Sequence, residues 1–122
     1  MAYQTINPYT NELIKEYPNA SDQELENTLT VAHSLYKETK QQPIQKRAEI
    51  LHAIAAKIRE KADELARACT IDMGKLLTES QGEVELCAII ADWFADHGEE
   101  LLAPDALETV ATGTAEIRHH AL

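Results

Sequence analysis

Apolar residues along the middle of the chain recur at three- and four-residue intervals, the spacing of one face of an α-helix. Leu25, Leu29, Ala32 and Leu35 mark the first stripe. Ser21 followed by Glu24 precedes it, a capping-box pattern in which hydroxyl and carboxylate each satisfy an orphan backbone N–H. A helix over about 22–37 follows. After the polar stretch Glu38 to Gln42, Pro43 suits the first turn of a second helix, where its missing N–H costs nothing. Ile44, Ala48, Leu51, Ala55 and Ile58 continue into Ala62, Leu65 and Cys69, so the pattern predicts one helix over about 44–73, closed by Gly74 in the left-handed conformation. The third run, about 77–102 with Gly98 as a weak point, differs from the others. Between Leu86 and Ala95 it has one polar residue in ten, and a helix apolar nearly all round must be covered on several sides.

The ends read differently. Tyr3 to Tyr17 alternates loosely around Asn7-Pro8-Tyr9-Thr10-Asn11, a turn-rich stretch that predicts a short β-hairpin. Pro104 stops the third helix, and Leu107 to Val110 and Thr114 to His119 read as strands around Gly113. The expected fold class is therefore mainly α with short β-hairpins at both ends, divided as 1–20, 21–103 and 104–122. Two helices cover one or two sides of the third, and the last hairpin has open edges. Both features predict a piece of something larger and self-association of the isolated chain.

Charge narrows the function classes. Eleven Lys and Arg against 21 Asp and Glu give a net charge of −10 over 122 residues, the wrong sign for neutralising nucleic-acid phosphates. Ten of the acids lie between Leu76 and Ile117, a stretch without Lys or Arg. It reads either as a solvated acidic helix face or as a surface for a basic partner. No apolar run approaches the ~20 residues needed to span a bilayer, and the first ten residues lack a signal-peptide pattern. A cytoplasmic protein without a membrane partner is the expectation.

Catalytic parts are few. Gly74, Gly82, Gly98 and Gly113 are too far apart for a phosphate-cradling loop. Cys69 and Cys87 fall on apolar helical faces and read as packing residues rather than activated thiolates. His119 and His120, if in a strand, point to opposite faces and make poor co-ligands. Residue spacing by itself assigns no reaction.

The ordered set Ile6-Asn7-Pro8-Tyr9-Thr10-Asn11-Glu12, Pro43 with Arg47, Asp63-Glu64-Leu65-Ala66, Met73-Gly74-Lys75-Leu76, Gly82-Glu83-Val84-Glu85-Leu86 and Trp93-Phe94-Ala95 resembles the amino-terminal segment of an NAD(P)-dependent aldehyde dehydrogenase, most nearly the succinate-semialdehyde dehydrogenase group. The resemblance runs over essentially the whole chain. It implies a fragment of the family's α/β fold whose helices pack on the cofactor domain and whose last hairpin begins the oligomerisation arm. It also implies NAD or NADP as cofactor of the parent enzyme, and the remainder of that enzyme's chain as partner.

The same resemblance places the nucleophile, general base, oxyanion asparagine and cofactor-binding residues beyond Leu122, so catalytic and cofactor-binding residues are expected to be absent and the chain inactive alone. Two roles carry over residue by residue. A structural monovalent cation would take a backbone carbonyl at Thr5 or Ile6 and the Asp72 carboxylate; from the residues alone, Asp72 is equally a solvated helix-end acid. Leu86, with Ile90 and Trp93 one and two turns on, would border the aldehyde channel, although a core face has the same pattern. The alternative to a dehydrogenase fragment is a free-standing acidic helical interaction module, or the remnant of a disrupted gene.

Overall fold

The computed structural model describes residues 3–110 and 112–120. It is mainly α-helical, with a short antiparallel strand pair at each end. Strands β1 (Tyr3–Ile6) and β2 (Leu13–Tyr17) pair with Tyr3 opposite Tyr17 and Thr5 opposite Lys15. The register shifts between Thr5 and Ile6, which stands opposite Leu13. The connecting turn is built by Asn7, whose side-chain oxygen accepts from the amides of Tyr9 (2.9 Å) and Thr10 (3.3 Å). Asn11, at φ 59°, takes the left-handed position that asparagine tolerates.

Helix α1 (Asp22–Thr39) begins at the expected box: the Glu24 carboxylate accepts from the Ser21 amide at 2.8 Å, and the Glu24 amide donates to the Ser21 hydroxyl at 3.3 Å. That bonding holds the Glu24 carboxyl below its usual range. The helix buries no residue; Leu25, Leu29 and Leu35 are all more than half exposed.

The predicted run 44–73 is two helices, α2 (Ile44–Glu60) and α3 (Ala62–Met73), with Lys61 between them at φ −104°, ψ 17°. Its amide reaches the carbonyls of both Lys57 and Ile58. The interruption occupies one residue and keeps the phase of the apolar stripe, so periodicity cannot reveal it. Charge can: Lys57 and Arg59 close α2 while Asp63 and Glu64 open α3, the arrangement that helix dipoles favour at an end followed by a start. Pro43 occupies the cap position of α2 rather than its first turn. Gly74 ends α3 at φ 70° as expected.

Helix α4 (Leu77–Leu101) runs through Gly98 without a break; a Cβ built there would meet Ile44 at an ordinary 3.9 Å. Both closing strands are shorter than predicted, and the first also begins earlier. β3 (Asp105–Leu107) pairs with β4 (Ala115–Ile117), Asp105 opposite Ile117 and Leu107 opposite Ala115. Thr109, Val110 and Thr114 lie in the connection, where Gly113 takes φ 138°; Ala111, Ala121 and Leu122 of the predicted third segment are outside the described residues.

Helices α2 and α3 both pack on α4. The buried positions are small: Ala55, Ala66, Ser80 and Ala88 are fully covered, and Val84 and Ala95 nearly so. Small side chains at a crossing let helices approach closely. The Ser80 hydroxyl is paired with that of Thr70 at 2.9 Å, joining α3 to α4 by a part-buried polar contact. The large side chains of α4 are elsewhere. Ile89, Ile90, Trp93 and Phe94 are 46–51% exposed, which matches the expectation that this helix is not covered by its own chain.

Candidate functional site

The charged residues on the contact between α2 and α4 form one connected set. Arg59 donates from Nε to Glu85 Oε1 at 3.0 Å and from Nη1 to Asp92 Oδ2 at 2.7 Å. His52, seven residues earlier on α2, places Nδ1 2.9 Å from Asp92 Oδ1 and Nε2 3.3 Å from Asp96 Oδ1. The bond from Arg59, and after it the one with His52, holds the Asp92 carboxyl below its ordinary value. Asp92, and after it Glu85, raises the Arg59 guanidinium further above its own. At the other end of α4, Lys75 pairs with Glu83, which also lies 3.7 Å from Cys69 Sγ. That pairing lowers the Glu83 carboxyl and raises the Lys75 ammonium.

The acidic stretch is thus partly neutralised within the chain. Glu83, Glu85, Asp92 and Asp96 face Lys75, Arg59 and His52, and Glu116 pairs with Arg118. Sequence reasoning singled out none of these pairs. A signal was available: His52 and Arg59 on α2, and Glu85 and Asp92 on α4, are each seven residues apart, two turns along one helix face.

Of the predicted site residues, Thr5 and Asp72 line the same groove, a space of about 430 Å³ between the first hairpin and α3. Ile6 ends β1 and is not in its lining. The groove also carries Lys15 and Arg67. Two cations beside the two carboxylates of Glu64 and Asp72 leave an incomplete shell for a hard cation, which seeks about six oxygens. Among the described residues, no cluster of three or more His, Cys, Asp or Glu is placed to hold a metal. Leu86 is 52% exposed on the outer face of α4 and shares that face with Ile90 and Trp93; it is not core within this chain. Trp93 stacks on His97 with ring centroids 4.4 Å apart and meets Phe94 edge-on at 5.1 Å.

Other expectations change. Cys87, read as packing, is exposed, while Cys69 is half-buried. His119 and His120 were expected on opposite faces of a strand, yet β4 ends at Ile117 and both residues line one cavity. The four glycines occupy a helix cap, two helix-interior positions and a loop. Gly74 stands in the short loop leading into α4, but it follows a helix and not a strand, so it does not make the strand–glycine loop–helix turn of a dinucleotide site. No helix among the described residues is long and apolar enough to cross a membrane.

The described residues form a helical layer with uncovered apolar faces. The aldehyde dehydrogenase family model matches residues 1–122, and the chain belongs to that family. It is 37% identical over 117 residues to succinate-semialdehyde dehydrogenase [NADP(+)] of Deinococcus radiodurans, covering 96% of this chain and 24% of that protein. It is 34% identical over 98 residues to succinate semialdehyde dehydrogenase [NAD(P)+] Sad of Escherichia coli, covering 80% and 21%. Among solved structures, succinic semialdehyde dehydrogenase from Streptococcus pyogenes in complex with NADP+ superposes with a TM-score of 0.87 at 46% identity, over 94% of this chain and 25% of that one. The chain spans about a quarter of the length of these relatives.

Proposed function

We propose that this chain forms the amino-terminal quarter of an NAD(P)-dependent aldehyde dehydrogenase that oxidises succinate semialdehyde to its carboxylate. The observation that carries the reading is the uncovered face of α4 on a chain that matches about a quarter of each relative. At roughly 25 cal/mol per Å², covering the open half of one aromatic such as Trp93 or Phe94 is worth about 2 kcal/mol. The remainder of the enzyme's chain supplies that cover in this reading. Without it, the same faces drive self-association, measurable as light scattering that rises with concentration.

A nicotinamide cofactor supplies hydride-accepting chemistry when bound, and the chain's own contribution is shape. Leu86 and, one and two turns on, Ile90 and Trp93 form the wall past which an aldehyde enters. Asp72 and the backbone at Thr5 or Ile6 give two oxygens to a monovalent cation whose other ligands belong to the remaining chain. The isolated chain has no turnover.

The test is a chimera in which this chain replaces the matched quarter of the Streptococcus pyogenes enzyme. It should reduce NADP+ with succinate semialdehyde, and Leu86→Ala in it should change the preference between short and bulky aldehydes. An Asp72→Ala chimera should lose stabilisation by potassium. Reduced cofactor accumulating with the isolated chain, or a folded but inactive chimera, would refute the proposal.

A further inference from the structure

The chain is acidic overall, and most of its cations are committed. Lys46, Lys57, Arg59, Lys61, Lys75 and Arg118 each pair with a carboxylate. Five others, Lys15, Lys37, Arg67, Lys40 and Arg47, have no carboxylate within 4.0 Å among the described residues, and the last two stand together. Both line one cavity of about 200 Å³, together with His119, His120, Gln42 and Glu99. Lys40 is held above the Tyr36 ring at 5.5 Å, which orders its stem without neutralising its charge. Arg47 is half-buried in the first turns of α2.

We propose that this cavity binds a phosphate-type oxyanion. The donors converge from three parts of the chain: the end of α1, the start of α2 and the segment after β4. Arg47 offers a planar fork matched to two oxygens, Lys40 a point charge, and the two imidazoles and the Gln42 amide further N–H donors. Adjacent histidines can serve one ligand here because they follow the end of β4. The start of α2 adds favourable potential at this opening, while the last turns of α1 and α4, capped by Lys40 and Leu102, oppose it, so the charged side chains must supply the attraction. Glu99 opposes the anion from the cavity wall and limits its affinity. The inference concerns this chain's own residues and stands apart from the dehydrogenase reading.

The experiment is a titration of the 122-residue chain with inorganic phosphate at constant ionic strength, with chloride as the control. Side-chain NMR signals of Arg47, His119 and His120 report occupancy, and a phosphomonoester arm distinguishes free phosphate from a phosphoryl group on a larger molecule. Saturable shifts at all three residues with phosphate and none with chloride are expected. R47Q should weaken binding about tenfold, the scale of one lost charge-assisted hydrogen bond, and E99Q should tighten it. R67Q, in the other groove, should leave it unchanged. Should R47Q unfold the chain, E99Q at an exposed position decides by its sign. Shifts that never saturate, equal weakening by R67Q, or weaker binding in E99Q would overturn the proposal.

Discussion

Replacing Gly74 by alanine tests how the first hairpin is fixed to the helices. Gly74 stands at φ 70°, and a Cβ built there would lie 2.8 Å from Cγ of Pro8 at the hairpin tip. Two costs arise from one methyl group. Holding an alanine in the left-handed region costs about 1 kcal/mol, and forcing a methyl into an occupied space costs about 1–3 kcal/mol unless the neighbour moves. Gly74→Ala should therefore lower stability by about 2–4 kcal/mol, read from urea denaturation followed by circular dichroism. Pro8→Ala removes the atom that is struck but not the backbone conformation. Added to Pro8→Ala, the Gly74→Ala change should cost only about 1 kcal/mol, and the difference between the two costs is the coupling between hairpin tip and helix end. Equal costs with and without Pro8 would refute the idea that the tip is seated on Gly74.

Two further predictions follow from the polar pairs. Asp92 and Glu83 have carboxyls held below their ordinary values of 3.8 and 4.5, so what they add to stability is present above those values and is lost as pH falls through the lower folded-state ones. Urea midpoints should thus be level above about pH 5 and drop below about pH 4, and Asp92→Asn should flatten part of the drop; an unchanged slope would dismiss the Arg59–Asp92 contact as a contributor. Ser80→Ala leaves the Thr70 hydroxyl without its partner and should cost about 1–2 kcal/mol, whereas Ser80→Ala with Thr70→Val should recover part of that loss. A double variant less stable than the sum of the singles would contradict the pairing.

The helices were legible in the sequence because their signals are local. The Ser21–Glu24 box, the stripe from Leu25 to Leu35 and the glycine at 74 depend on a few neighbouring residues, and α1, α3 and α4 end near where those signals fall. Lys61 was hidden because one non-helical residue leaves the three- and four-residue spacing intact on both sides. The first of the final strands was displaced because its pairing depends on how Asp105 meets Ile117 across a loop, a matter of register more than of β-forming residues. At the candidate sites, the resemblance to the family, and not the spacing of the residues, was what proposed Thr5 or Ile6 and Asp72. It could not place Lys15 and Arg67 in the same groove, nor bring His119 and His120 to one cavity, because those placements depend on the path of the chain between elements.

The interruption at Lys61 has a mechanical consequence. Helix α4, 25 residues or about 37 Å long, lies against both the 17-residue α2 and the 12-residue α3, and so acts as a splint across the joint between them. The Arg59–Asp92 contact fastens it on one side of the joint, and the Thr70–Ser80 contact on the other. A load applied to α3, through the hairpin seated at its end, is thereby carried into α4 instead of bending the chain at Lys61.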